Sequence, residues 1–370
     1  MGHAGEPTIQ PRAPHVKSAP GAGALPRPGA LLEWSRERPR SRAGARTRPR
    51  HHAPQRRRGR WSARPAGRAR RCGRYALWGA MPLYFPLLEP AGPLEIIAHR
   101  IVWSLVVCVA MLAVVRQLGR FVRVLRTPRT LALLALAAVL VATNWTIYVY
   151  GVLSGHVLDA ALGYFVNPLV TALLAVVVLR ERLRPAQWVA LGIGVVAVAV
   201  ITAGVGRVPW IALGVAFSFG LYGLVKNRTG RTVEALPGLA AETATLVPLC
   251  LAYLVWLSAT GAGTFTTSDP AHALLLASSG LVTAVPLLLF SSAARRIPLS
   301  LVGMLQYLTP VLQFLCGLLV FHEAMPPARW VGFALVWAAL VVLSTDALRA
   351  ARAARLAQLP RPPAGRSRDV

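Results

Sequence analysis

The sequence predicts an all-α integral membrane protein of about ten transmembrane helices arranged as two inverted five-helix repeats. Three observations carry that expectation. The chain is 55% hydrophobic and only 15% charged, with apolar runs long enough to cross a bilayer core of about 30 Å. The segment Pro168 to Val189 recurs as Pro310 to Val331, 142 positions downstream, with eight of 22 positions identical. The basic residues after position 74 fall almost entirely on one face of a ten-span alternation.

The repeat preserves punctuation as well as hydropathy. Each copy opens on a proline, carries a glutamate at its end (Glu181 and Glu323) and restarts with Pro-Ala-x-Trp-Val at Pro185 and Pro327. A fixed-period match of this kind marks a duplicated unit, and duplicated halves of membrane proteins place the working site at their interface. The expected spans are about 75–88 (short), 94–115, 130–151, 160–179, 185–206, 208–225, 236–257, 272–293, 302–321 and 327–348. The offset carries 94–115 onto 236–257 and each later span of the first half onto its counterpart. A unit of five crossings followed by its copy re-enters the membrane from the opposite side, so the halves are expected to be inverted.

Charge tests the alternation independently. Of 22 Lys and Arg after residue 74, 19 fall on one face, among them the clusters Arg116–Arg129, Arg180–Arg184 and Lys226–Arg231. Arg207 and Arg329 lie on the other face, and Arg100 lies within a span. This asymmetry identifies the crowded face as cytoplasmic, with both termini on that side of the plasma membrane.

Four regions follow. Residues 1–74 are a basic, Arg/Pro-rich segment, 75–206 the first repeat with a truncated first helix, 207–348 the second repeat, and 349–370 a cytoplasmic basic tail. The first region holds 19 of the 41 basic residues against Glu6, Glu33 and Glu37, and 49 of its 74 positions are Arg, Pro, Ala or Gly. No packed core can form from that composition. It lacks the continuous apolar stretch of a signal peptide. One reading is a wrong reading frame joined to the true frame near Tyr75; the other is a genuine disordered basic tail. Such a tail could hold nucleic acid or anionic lipid, but the repeat offers a simpler reading; the expected partners are a small-molecule substrate and the lipid bilayer, not nucleic acid.

Several functions are disfavoured by what is missing. Cys72, Cys108, Cys250 and Cys316 are isolated, so no disulfide or zinc framework is read. There is no Gly-rich phosphate loop, Ser-His-Asp pattern or metal-spaced His cluster. No cofactor, metal or catalytic residue is expected.

The chemistry is therefore expected in polar residues inside the apolar spans. Arg100, with His99 beside it, and Glu242 are mates under the 142 offset. A charge at a helix centre costs about 3 kcal/mol on insertion scales, so such a group turns inward to a partner or a function. Inversion places Arg100 toward the outside and Glu242 toward the cytoplasm, with about 12 Å of depth between them in a core of about 30 Å. Two sites along one path are expected, Arg100 for an anionic or zwitterionic group and Glu242 for a cation or a proton as coupling ion. The plainer readings are a snorkelling anchor for Arg100 and a first-turn acid for Glu242.

A second group comprises Asn144, Trp145, Tyr164, Asn167, Gln306, Tyr307 and Gln313. Tyr164 and Tyr307 precede Pro168 and Pro310, prolines expected to kink two equivalent helices that line a central cavity. Amides such as Asn167 and Gln313 serve equally well as interhelical hydrogen-bond glue. Glu181, Glu323, His156, Asp159 and Asp346 read as helix-start, capping or surface groups.

The strings EIIAHRIVWS (95–104), LDAALGYFVNPLV (158–170), LRERLRPAQW (179–188), ALGVAFSFGLYGLVK (212–226), ETATLVP (242–248), TAVPLLLFSSAARRI (283–297) and LQYLTPVLQFL (305–315) resemble the RarD branch of the EamA proteins, in the drug/metabolite transporter superfamily. So does the Asn144-Trp145 pair. The resemblance spans about residues 75 to 348 and departs at the start, where the family has a full first helix. It implies ten helices in two inverted repeats, a central substrate cavity and alternating access without ATP hydrolysis. The expected protein is thus a secondary transporter of a small polar or amphipathic metabolite or drug. A non-transporting scaffold or receptor, or an integral-membrane enzyme, remains as an alternative.

Overall fold

The computed structural model describes residue 2 and residues 78–229, 233–294 and 307–357. Gln306 and nearly all of the basic N-terminal region lie outside the described residues. Two compact units divide the chain, Met1–Trp61 and Ser62–Val370, and every element below belongs to the second.

Among the described residues every regular element is helical: α1 Met81–Tyr84, a 3-10 turn Phe85–Leu88, α2 Pro93–Val114, α3 Leu118–Leu125, α4 Pro128–Leu153, α5 Val157–Leu179, α6 Pro185–Val205, α7 Trp210–Thr229, α8 Ala235–Ala259, α9 Pro270–Ala294, α10 Leu308–Leu319 and α11 Pro327–Ala357. Seven of these, α2, α4, α5, α6, α7, α8 and α11, are long and apolar enough to cross a membrane. Two shorter apolar stretches, Pro270–Pro286 and Leu308–Leu319, accompany them.

Proline sets several starts. Pro93, Pro128, Pro185, Pro270 and Pro327 each open a helix, a position where a missing N–H costs nothing and the fixed φ favours the first turn. The same residue type breaks the region expected as one short span at 75–88. Pro82 and Pro86 withhold the amides that would continue an i to i−4 ladder, and the chain forms α1 and a 3-10 turn instead. Phe85 and Leu88 of that turn are fully buried in the same core as Ile96, Ile97 and Tyr148.

Two features were not expected from sequence. Helix α3 lies within the basic stretch 116–129, its Phe121 packed with Cys108, Leu112 and Ala240 while Arg120 forms a forked pair with Glu234 at 2.5 and 2.6 Å. Helix α11 runs to Ala357, beyond the expected end of its span.

Packing interleaves the first and second halves of the chain. Helix α2 lies against α8 and α9, α4 against α7 and α8, α5 against α7 and α10, and α6 against α11. Close approach of α5 and α7 depends on Gly163, where a Cβ would stand 2.6 Å from the Ala212 carbonyl oxygen. Many large apolar side chains face outward, including Val195, Leu249, Val255 and Val341. An apolar exterior over apolar helices is what a lipid environment requires.

Candidate functional site

Helix α2 carries Arg100 two turns in from its start. Glu95, in the first turn, accepts hydrogen bonds from the Thr264 amide at 2.7 Å and hydroxyl at 3.0 Å, tying that start to the α8–α9 connector. Arg100 is buried, and its Nε donates to Thr283 Oγ1 of α9 at 2.5 Å. Thr283 in turn donates to the Ser279 carbonyl at 2.7 Å, so the acceptor is held in place. The guanidinium carbon sits 4.4 Å from the Trp145 ring centroid and 5.5 Å from that of Phe85. Aromatic faces stabilise a desolvated cation, although they do not neutralise it. None of the five ion pairs among the described residues involves Arg100.

Glu242, its mate in α8, is equally buried but differently treated. Lys226 Nζ of α7 donates to Glu242 Oε2, and Tyr222, one turn before Lys226, lies beside the same carboxylate. The lysine ammonium is 5.8 Å from the Tyr222 ring centroid. A carboxylate that sequence marks as an open cation site thus has its own cation.

A small cavity links the surroundings of the two positions. Its lining includes Trp145 and Thr283, the partners of Arg100, together with Glu242, Ser104, Thr243 and Leu246. Trp145, Thr283 and Glu242 thus share one space, and Arg100 is held by the first two of them.

Asn144 lies one residue from Trp145 and spends its polar groups on protein. Its Nδ2 donates to the Val215 carbonyl at 2.9 Å and to Ser218 Oγ at 3.1 Å, and its Oδ1 accepts from the Tyr164 hydroxyl at 3.0 Å. This knot joins α4, α5 and α7. Tyr164 also meets Tyr148 at a centroid distance of 5.5 Å, and Tyr148 meets Phe85 at 6.0 Å, so an aromatic chain leads back to Arg100. Gln313 Nε2 donates to the Trp78 carbonyl at 3.3 Å. Gln313 Oε1 and the Tyr148 hydroxyl are buried neighbours that fall outside hydrogen-bond geometry.

The remaining predicted residues are not gathered here. His99 points to another neighbourhood, stacked on Phe265 at 4.8 Å, because successive helix residues differ by about 100° in direction. Asn167 accepts from Thr171 Oγ1 at 2.9 Å within its own helix. Tyr307 stands at the N-cap position of α10 without a side-chain capping bond and packs in an apolar cluster with Leu158, Phe165 and Phe314. Pro168 lies inside α5, whereas Pro310 is the third residue of α10 as described.

The connectors carry a second polar cluster. Glu323 accepts hydrogen bonds from the Val157 amide and, at 3.1 Å, the Leu158 amide, capping the distant α5. Asp159 is buried beneath Arg207 at 3.3 Å and Arg329 at 3.2 Å, contrary to its reading as a surface or capping group. Burial pushes the Glu323 carboxyl above its ordinary range, against the pull of the two amide bonds. Glu181, the offset mate of Glu323, is exposed.

Sequence reasoning missed Lys226, Tyr222, Thr283, Ser218 and Phe85. The i, i+4 spacing of Tyr222 and Lys226 was the available signal, since it puts both on one helix face. Among the described residues no three His, Cys, Asp or Glu side chains converge as metal ligands.

Comparison with known proteins adds an independent line. The model of the EamA-like transporter family matches residues 74–203 and again 208–345. The protein named "Protein RarD" of Streptomyces exfoliatus is 54% identical over 283 residues, covering 76% of this chain and 89% of that protein. "Protein RarD" of Salmonella typhi is 41% identical over 274 residues, covering 74% and 92% respectively. A protein of Vibrio cholerae named "Uncharacterized transporter" is 40% identical over 284 residues, covering 77% and 93%.

Proposed function

The chain belongs to the EamA-like transporter family, within it to the RarD branch, and is a multi-pass membrane transporter of the drug/metabolite type; from that premise we propose how it transports. It is a secondary transporter of a small polar or amphipathic solute, working by rocking of two inverted five-helix repeats, 75–206 and 207–348, without ATP hydrolysis. It lies in the cytoplasmic membrane with both termini inside, flanked by the basic segments 1–74 and 349–370.

The observation that carries the reading is the cavity that joins the Arg100 platform to Glu242. Arg100 is drawn from the first half, while Thr283 and Glu242 come from the second. A site built from both halves changes its exposure when the halves rock, which is what alternating access needs. Recurring contacts support the repeat. The pairing of α4 with α7 is matched by that of α9 with the 3-10 turn, and the pairing of α5 with α7 by that of α10 with α1. The double match of the family model supports it too.

A proton is the coupling ion in this reading. Protonating Glu242 releases Lys226, and re-ionisation recaptures it, so a proton and the lysine ammonium exchange on one carboxylate. Uptake across a metabolite panel by proteoliposomes of the full chain, with and without a proton gradient, tests the proposal. Transport that requires Arg100 and responds to the gradient supports it. Arg100→Ala and Glu242→Ala both moving solute at the parent rate contradicts it.

A further inference from the structure

We propose that the cavity selects a small organic anion with an apolar body over zwitterions and cations, an inference that rests on the transport reading of this same site. The charge inventory is the starting point. Among the described residues, Arg100, held by the lining residues Thr283 and Trp145, and Lys226, paired to the lining residue Glu242, bring two cations beside the cavity, and Glu242 brings one carboxylate. One positive charge is left over, and it belongs to Arg100 because Lys226 is committed to Glu242.

The geometry then says how the excess charge is used. Thr283 takes the Arg100 Nε, and Trp145 and Phe85 flank the guanidinium carbon. The Nη atoms have no polar partner among the described residues. A guanidinium fork offers paired N–H groups to the two oxygens of a carboxylate, sulfonate or phosphate, and does so best where water is excluded. A zwitterion or an amine needs a carboxylate for its ammonium group, and Lys226 already covers the one that lines the cavity. The ligand's own cation would stand between Arg100 and Lys226, and like-charge juxtaposition is costly at a desolvated site.

The lining points to the rest of the molecule. Ile101, Leu239, Leu246 and Ala284 supply apolar walls, while Ser104 and Thr243 supply isolated hydroxyls. An anion with an aliphatic or aromatic body of modest size satisfies both the charge and the walls.

The test uses full-length protein in proteoliposomes and radiolabelled probes of permanent charge in three matched sizes: aryl- or alkylsulfonates, the corresponding sulfobetaines and the corresponding quaternary ammonium ions. The sulfonates are expected to be taken up at least about tenfold faster than their partners, given the cost of like charges in contact. Lys226→Met uncovers Glu242 and is expected to cut the sulfonate-to-sulfobetaine ratio by about fivefold or more. Lys226→Met combined with Glu242→Gln removes the exposed carboxylate and restores the sulfonate preference. Gel filtration checks that each variant is folded, and the double variant keeps the test informative if the single one is not. Uptake of sulfobetaines or quaternary ions at or above the sulfonate rate, or a ratio unmoved by Lys226→Met, overturns the inference and leaves the transport reading standing. If neither these probes nor any metabolite in the panel moves, the transport reading fails, and the inference with it.

Discussion

Arg100 and Glu242 occupy equivalent positions in the two halves of the sequence, yet the protein treats them in opposite ways. The arginine is buried with one hydroxyl and two aromatic rings and no carboxylate. The glutamate is buried with a lysine of its own. Backbone equivalence therefore does not carry chemical equivalence. One half leaves its buried charge without an ionic partner among the described residues, and the other pairs its charge internally. In the proposed reading, that asymmetry is what lets the site distinguish ligands by sign.

The largest effect expected from breaking the comparison is at Arg100. Replacement by Gln removes the open cation and its forked donors, an interaction worth about 3 kcal/mol in a desolvated site, so uptake falls by about a hundredfold. Initial rates in proteoliposomes measure it, and Arg100→Lys, which keeps charge but loses the fork, falls between.

Opening the closed side comes next. Lys226→Met leaves a buried carboxylate unneutralised. Loss of one partner of a buried pair costs about 3 to 5 kcal/mol, and partial exposure of Lys226 reduces this to about 2 kcal/mol. Melting of the purified protein in detergent should drop accordingly, and Lys226→Met with Glu242→Gln should recover most of it.

Trp145→Ala removes one face of the Arg100 platform. Cation–π contacts at desolvated sites contribute about 2 kcal/mol, so apparent affinity weakens about thirtyfold, while Trp145→Phe weakens it less. A KM series at constant protein density reads the difference.

The smallest effect contrasts Glu323 with its exposed mate Glu181. The folded state holds the Glu323 proton above the ordinary carboxyl value of 4.5. The stability this gives is fully present below that value and is lost as pH rises through the raised one, because over that interval the folded state binds more protons than the unfolded. Melting temperature against pH should show this loss in the parent and lack it in Glu323→Gln; Glu181→Gln should follow the parent curve. Loss of the cap itself costs about 1 kcal/mol.

Most spans were legible because hydropathy and proline punctuation are local. The helices α2, α4, α5, α6, α7 and α8 begin and end within a few residues of the expected bounds. Helix α3 was not, because eight amphipathic residues in a run of arginines read as a connector. The site was legible only in part. Arg100, Trp145 and Glu242 stand out as polar or aromatic groups in apolar surroundings; Trp145 and Glu242 line one cavity, and Arg100 stacks on Trp145. Lys226 read as a face charge because it follows a long apolar run, although its helix turns it toward Glu242. His99 drew attention by adjacency to Arg100, and adjacency in a helix means a different direction. Glu323 reads as a helix-start acid, and it does cap a helix start, but that of the distant α5. Pairings between remote segments leave no local mark in a single sequence, so Asp159 with Arg207 and Arg329 was invisible as well.

The most direct test of the central claim is solute uptake by proteoliposomes of the full chain, compared among the parent, Arg100→Ala and Glu242→Ala under an imposed proton gradient. Loss of uptake in Arg100→Ala, together with uptake in Glu242→Ala that no longer responds to the gradient, is the predicted result. Parent rates and parent gradient dependence in both variants would contradict it.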